Sequence, residues 1–304
     1  MRYLFGPVPS RRLGWSMGVD IVPYKTCTQD CVYCQIGRTT CLTVKRDEYV
    51  PRSDVIGEIE SQSEVAFDCL TFAGSGEPTL HSGLGEMIRH AKMVLDVPVV
   101  VLTNGTLFTD KNVRADCREA DCVMPSLDAV LQATFERVNR PHPDLKVDEM
   151  IRGLMDLRAE FEGKIWLEVM LVKGLNDGEI QKIAEVARAI DPDRVQLNTV
   201  IRPPCEPVLP LSPEEMREAL KFFDRAEVIS DLARSPLDTK KDRLLDLLSR
   251  RPCTMDDLSA LTGLHLNEIS KYIEVLELED KITRRAFGGK LYFHAVAERN
   301  SSDL

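Results

Sequence analysis

From residue 18 to about residue 226, short apolar runs rich in β-branched residues alternate with longer amphipathic stretches. Runs at 18–23 (GVDIVP), 69–74 (CLTFAG), 97–103 (VPVVVLT), 121–127 (DCVMPSL), 164–172 (KIWLEVMLV) and 194–201 (RVQLNTVI) predict six strands. Stretches at 55–64, 83–95, 150–162, 179–190 and 213–226 predict helices after most of them. This is the order of repeated βα units, so the expected fold over residues 1–234 is α/β, a partial (β/α)6 barrel of TIM type. Such a barrel carries its reactive groups on the loops that follow the strands. SPLD at 235–238 reads as a linker, and the pattern then changes. An amphipathic helix at 240–250, a short helix at 255–263, a second at 264–280 and alternation through Gly288-Gly289 predict a small winged-helix α+β domain over 239–300.

Composition narrows the class. Nine cysteines in 304 residues are too sparse for a disulfide scaffold. The opening MRYLFGPVPSRRLG has no apolar run of signal-peptide length and nothing approaches a membrane span, so the expected location is cytoplasmic, with no membrane partner. A net charge of -10 argues against an overall electrostatic grip on nucleic acid, while leaving room for a local basic patch.

The candidate chemistry lies directly after the first strand. Cys27, Cys31 and Cys34 fall within the eight residues CTQDCVYC. A 4Fe-4S cluster takes one thiolate per iron, so three leave one iron open to another ligand. Zinc is the competing reading, but a structural zinc site wants four ligands in two close pairs, and no second pair is near. Cys41 lies seven residues beyond Cys34, and Cys69, Cys117, Cys122 and Cys253 are scattered, so a second cluster has little support.

The cysteine spacing, with Tyr33 before the third thiol, resembles the signature of the radical S-adenosylmethionine (SAM) superfamily. The resemblance implies that SAM chelates the open iron. One electron then cleaves it to methionine and a 5'-deoxyadenosyl radical that abstracts hydrogen from a substrate. After the second strand, GSGEPTL supplies Gly74, Gly76 and Glu77, glycines that admit close backbone approach to a ligand and a carboxylate acceptor. It is similar to the GGE element that receives the SAM amino group in this superfamily. TNG and SLD segments at the next strand ends stand in the order found in radical SAM barrels of molybdenum-cofactor biosynthesis. By that likeness Thr103, Asn104, Ser126 and Asp128 are SAM contacts; as local chemistry, Asn-Gly also makes turns, and Ser or Asp after a strand also caps helices.

GPVPSRRLG before the barrel resembles a group of Fe-S oxidoreductases classed beside the wyosine-forming tRNA enzymes. Arg11 and Arg12 could bind an anionic group or sit solvated on an edge segment. The flavodoxin-like domain of some wyosine-forming enzymes is absent, implying an external one-electron donor of flavodoxin or ferredoxin type. Glu168, Gln196 and Asn198 would point into the barrel, for a ligand or for one another, with Arg202 and Cys205 near its mouth. In the distal domain, Glu268, Glu274, Glu277 and Glu279 counter His265, Asn267 and Lys271 on the helix that would read DNA. Arg284, Arg285 and Lys290 bracket Phe287 on the wing, able to meet phosphates. The domain is therefore expected to dock a substrate or partner rather than to read a DNA sequence, with nucleic-acid binding the less favoured reading, and the substrate is left open among a tRNA base, a protein or peptide side chain and a small metabolite. An iron-sulfur sensor with a DNA-binding winged domain is the alternative function, disfavoured because a sensor needs the thiolates but not GSGEPTL, TNG and SLD.

Overall fold

A computed structural model describes residues 3–202, 204–229 and 239–296. The chain divides into two compact units, Met1–Ser230 and Asp231–Leu304. The expected linker at 235–238 and the outer ends of the two expected domains, 230–234 and 297–300, lie outside the described residues.

In the first unit, β1 (Leu4–Ser10) and β2 (Gly14–Val19) form an antiparallel hairpin, and β3 (Thr26–Cys27) pairs in parallel with β4 (Cys41–Leu42). From β2 the sheet continues, all parallel, through β5 (Cys69–Phe72), β6 (Val99–Thr103), β7 (Cys122–Pro125), β8 (Lys164–Lys173) and β9 (Arg194–Thr199). β10 (Leu209–Pro210) pairs antiparallel with the end of β8, and β11 (Ala226–Val228) adds in parallel to β9. The sheet runs from β1 to β11 without joining its edges, an open partial barrel.

Two boundaries differ from the sequence reading. The first parallel strand lies earlier than 18–23, because pairing with β1 fixes Gly14–Val19 as strand. Past it, the Asp20 amide still bonds Tyr3 O at 2.8 Å, while its carboxylate accepts hydrogen bonds from the Ser75 amide and hydroxyl. The helix expected over 213–226 stops at Leu220; Arg225 takes a φ of 50° and the chain re-enters the sheet as β11. A three-residue strand has no period to read.

The helices α1 (Arg52–Glu60), α2 (Leu84–Val94), α3 (Lys111–Cys117), α4 (Gln132–Val138), α5 (Val147–Glu160), α6 (Ile180–Ile190) and α7 (Pro213–Leu220) share one core with the sheet. α7 begins with a capping box between Ser212 and Glu215. Strand alternation decides the layers. Val19, Leu70, Phe72, Val99, Val101, Val123, Leu167 and Leu197 pack into the main core. Cys69, Val100, Cys122 and Met124 form a separate cluster with Leu13, Leu102 and Trp166 on the opposite, interior face. The strands are buried on both faces, as a parallel sheet requires.

The second unit contains α8 (Thr239–Arg250), α9 (Met255–Thr262), α10 (Leu266–Leu278) and the hairpin β12 (Ile282–Phe287) with β13 (Lys290–Ala295). A capping box between Thr254 and Asp257 starts α9, and Gly263 ends it at a φ of 72°. Cys253 bridges antiparallel to Phe293, giving the hairpin a third, one-residue strand. Leu244, Leu248, Leu258, Ile269, Tyr272, Ile273, Leu276 and Phe293 make its own core.

Candidate cluster and cofactor site

The loop after β2 presents Cys27, Cys31 and Cys34, all free and half-buried. Each sulfur lies against a nitrogen donor. Lys25 Nζ donates to Cys34 Sγ at 3.1 Å, Asn139 Nδ2 to Cys31 Sγ at 3.5 Å and Asn104 Nδ2 to Cys27 Sγ at 3.6 Å. Burial pushes the Cys27 thiol up to about 12 and the Cys31 thiol well above its usual range, with Glu77 and Asp128 respectively adding to the effect. The bare loop therefore holds protons that a metal must displace. Among the described residues no three Cys, His, Asp or Glu side chains gather as a single-ion site. The donor set fits an iron-sulfur cluster: three thiols from one loop, each with an N–H donor of the kind that tunes cluster sulfurs.

Two distant segments clamp this loop. The stretch after α4 bonds to it through Val32 N to Val138 O (2.9 Å), Asp30 N to Asn139 O (3.0 Å) and His142 N to Thr28 O (2.9 Å). On another side, Cys205 N donates to Cys34 O (3.1 Å) and Glu206 N to Val32 O (3.2 Å). The Cys205 thiol is turned onto the carbonyls of Cys31 and Val32, both at 3.3 Å. Arg202 Nη1 bonds Gln35 Oε1 at 2.7 Å, and Arg38 and Arg140 both pair with Asp30 and Glu206. Cys41 is exposed, with its amide on Lys25 O.

The glycine-rich loop lies against the cysteine loop, which revises the role expected of its glycines. A Cβ at Gly76 would stand 1.9 Å from Thr26 O, and one at Gly74 2.0 Å from Asp20 Oδ1. Both positions need glycine because protein packs there, whatever a ligand requires. Glu77 is buried, and its Oε1 accepts from Thr79 N (3.1 Å), Thr79 Oγ1 (2.6 Å) and Thr103 Oγ1 (2.6 Å). Its Oε2 accepts from Asn104 N at 2.8 Å. Burial raises the Glu77 pKa, and these four donors oppose the rise.

Thr103 is fully engaged, since its hydroxyl also accepts from Gly105 N at 3.1 Å. Asn104 spans the site, with Nδ2 on Thr28 Oγ1 (2.7 Å) as well as on Cys27, and Oδ1 on Thr106. Asp128 accepts from Tyr33 Oη, Asn139 Nδ2 (2.7 Å) and Met170 N (2.9 Å). Its place in the structure is thus a tether between the barrel wall and the cysteine loop. Ser126 is half-buried, and its hydroxyl makes no hydrogen bond among the described residues.

Below this level lies a charged layer. Arg12, at the turn of the β1–β2 hairpin, forms an ion pair with Glu168 of β8; their side chains are 15% and 16% exposed. Arg12 is therefore no solvated edge residue. Glu168 also accepts from Asn198 Nδ2 at 3.2 Å, whereas Gln196 donates to Glu227 at 2.9 Å. Burial works to raise the Glu168 pKa, but the Arg12 guanidinium holds it below the ordinary value. Ser126 bridges directly to Glu168 between β7 and β8, so the open hydroxyl stands beside this layer.

Lys25, Asn139 and the 205–206 strap were not anticipated from sequence. Lys25 carried the one available signal, a cation two residues before the first cysteine.

Comparison with known proteins agrees with this geometry. Residues 21–187 match the radical SAM superfamily and residues 230–286 the DprA winged helix domain. The chain is 32% identical to a UPF0026 protein of Helicobacter pylori (strain J99) over 96% of this chain and 97% of that one. It is 35% identical to a protein of Brachyspira hyodysenteriae named GTPase Obg, across 95% of this chain but only 45% of that protein. A structure of TYW1 with a lysine-pyruvate adduct bound shares the fold, with a TM-score of 0.50 at 19% identity over 68% of this chain and 72% of the other. The chain belongs to the radical SAM superfamily and, within it, to the UPF0026 family. The cofactors of that superfamily are a 4Fe-4S cluster and SAM. No helix among the described residues is long and apolar enough to cross a membrane.

Proposed function

We propose that the chain is a radical SAM enzyme that abstracts hydrogen from a substrate brought to the open barrel, with electrons from an external flavodoxin- or ferredoxin-type donor. When bound, cluster and SAM together supply one-electron cleavage of SAM and a carbon radical able to take a hydrogen atom. Cys27, Cys31 and Cys34 would hold three of the irons. Lys25, Asn104 and Asn139 stabilise the thiolates and fix their rotamers. Glu77 locks the TNG turn against the glycine-rich loop, and the Ser126 hydroxyl, which has no partner among the described residues, would be available to SAM. Tyr33 and Asp128 tie the cysteine loop to the barrel wall, and the Arg12–Glu168 pair joins the β1–β2 hairpin to β8. The winged unit serves substrate docking.

The observation that carries this reading is the set of three thiols in one loop, each with its own N–H donor. The test is anaerobic reconstitution followed by reduction with SAM. About four irons per chain and slow formation of 5'-deoxyadenosine and methionine are expected, both lost on replacing any of the three cysteines by Ala. Stoichiometric zinc with no retained iron would overturn it.

A further inference from the structure

The β12–β13 hairpin has two unlike faces. Its register pairs Thr283 with His294, Arg285 with Tyr292 and Phe287 with Lys290. The intervening pairs are Ile282 with Ala295, Arg284 with Phe293 and Ala286 with Leu291. Because strand side chains alternate, and Ile282, Phe293 and Leu291 belong to the core of the unit, the first three pairs share the opposite face. That face carries two fixed cations and three rings, and no carboxylate. Phe287, at the Gly288-Gly289 turn, is 73% exposed, and Arg285 and Lys290 are exposed as well. Arg284 does not share it, and lies 3.7 Å from Glu277.

A phenyl ring held this far into water at the tip of a hairpin gains nothing for the fold. Rings interleaved with cations on one flat face suit a ligand with alternating π faces and negative charges. We propose that this face binds a single-stranded polynucleotide, with bases stacked on Phe287 and Tyr292 and phosphates met by Arg285 and Lys290. Charge favours this face over the neighbouring helix: it holds Arg285 and Lys290 and no anion, whereas α10 carries Glu268, Glu274 and Glu277. A duplex would use the cations and leave the rings idle, since stacked and paired bases offer no free face.

The experiment measures fluorescence anisotropy of a labelled 12-nucleotide oligouridylate with the full holoprotein across a salt series. A 12-base-pair duplex is run beside it. Saturable binding at low salt, weaker for the duplex, is expected. Phe287→Ala should weaken single-strand binding roughly tenfold with the salt slope unchanged, because stacking releases no counterions. Arg285→Ala with Lys290→Ala should reduce the slope by about 1.4, two phosphate contacts at about 0.7 each. All three side chains are exposed, so these variants keep the fold. No binding at low salt, equal binding by every variant, or a duplex bound as tightly as the single strand would overturn the proposal.

Discussion

Lys25 donates from Nζ to Cys34 Sγ at 3.1 Å, from a backbone turned into the left-handed region at a φ of 57°. The side chain is 3% exposed. Burial works against its charge, but the negative charge of the Cys34, Cys27 and Cys31 sulfurs, once deprotonated, more than offsets it and raises its pKa. A buried ammonium thus stands at the sulfur of Cys34, the third thiol of the proposed cluster loop. Reduction adds negative charge to a cluster, which a cation at this distance stabilises. Lys25→Gln should keep the iron content of the reconstituted protein yet lower the reduction potential of the cluster, and Lys25→Arg should restore part of the shift. An EPR-monitored redox titration checks this; an unchanged potential in Lys25→Gln would confine Lys25 to a packing role.

Glu77 binds four donors of its own chain, so replacing it affects more than SAM. Glu77→Ala leaves buried N–H and O–H groups unpaired and should cost about 3 kcal/mol of stability in urea unfolding. Glu77→Gln keeps one acceptor oxygen and should cost about half of that. Ser126→Ala, with no protein partner to lose, should leave stability unchanged and weaken SAM binding by about 1 kcal/mol, as titration calorimetry would read.

The Arg12–Glu168 pair joins the hairpin at one edge of the sheet to a strand far across it. Arg12→Ala leaves a buried carboxylate without its cation and should destabilise the chain by about 3 kcal/mol at pH 7. The double variant Arg12→Met, Glu168→Met should recover most of this. Because the folded pKa of Glu168 is depressed, the stability it contributes is present above its ordinary value of 4.5 and lost as pH falls through the lower folded value. The cost of Arg12→Ala should shrink accordingly in acid, read from urea midpoints at several pH values.

Asp128 has the opposite sign. Burial pushes its carboxyl up to about 6 from an ordinary 3.8, against the pull of Tyr33, Met170 and Asn139. The folded chain keeps this proton to higher pH than the unfolded chain does. Stability therefore falls by roughly 3 kcal/mol as pH rises from about 4 to about 6, and is level beyond. Asp128→Asn should remove that fall. A stability difference between wild type and Asp128→Asn that is the same at pH 4.5 and pH 7 would contradict it.

The parts legible in the sequence are those whose partners are close in the chain. Cys27, Cys31 and Cys34 suggest a cluster site because the three thiols lie in one short loop, and strand and helix periods repeat within a few residues. The GSGEPT, TNG and SLD segments could be placed at strand ends by counting βα units. Sequence could not say that Gly74 and Gly76 serve packing, or that the first strand is set by a hairpin.

What tertiary structure alone decided is long in sequence and short in space. Asn139 meets Cys31 across 108 residues, Arg12 meets Glu168 across 156, and Cys205 meets Cys31 across 174. Such contacts leave no periodic or local trace, because a hydrogen bond depends on distance and direction in space and is indifferent to separation along the chain. The chain supplied the thiols and the order of the strands; only folding the sheet around its interior selected which lysine, asparagines and arginine would stand beside them.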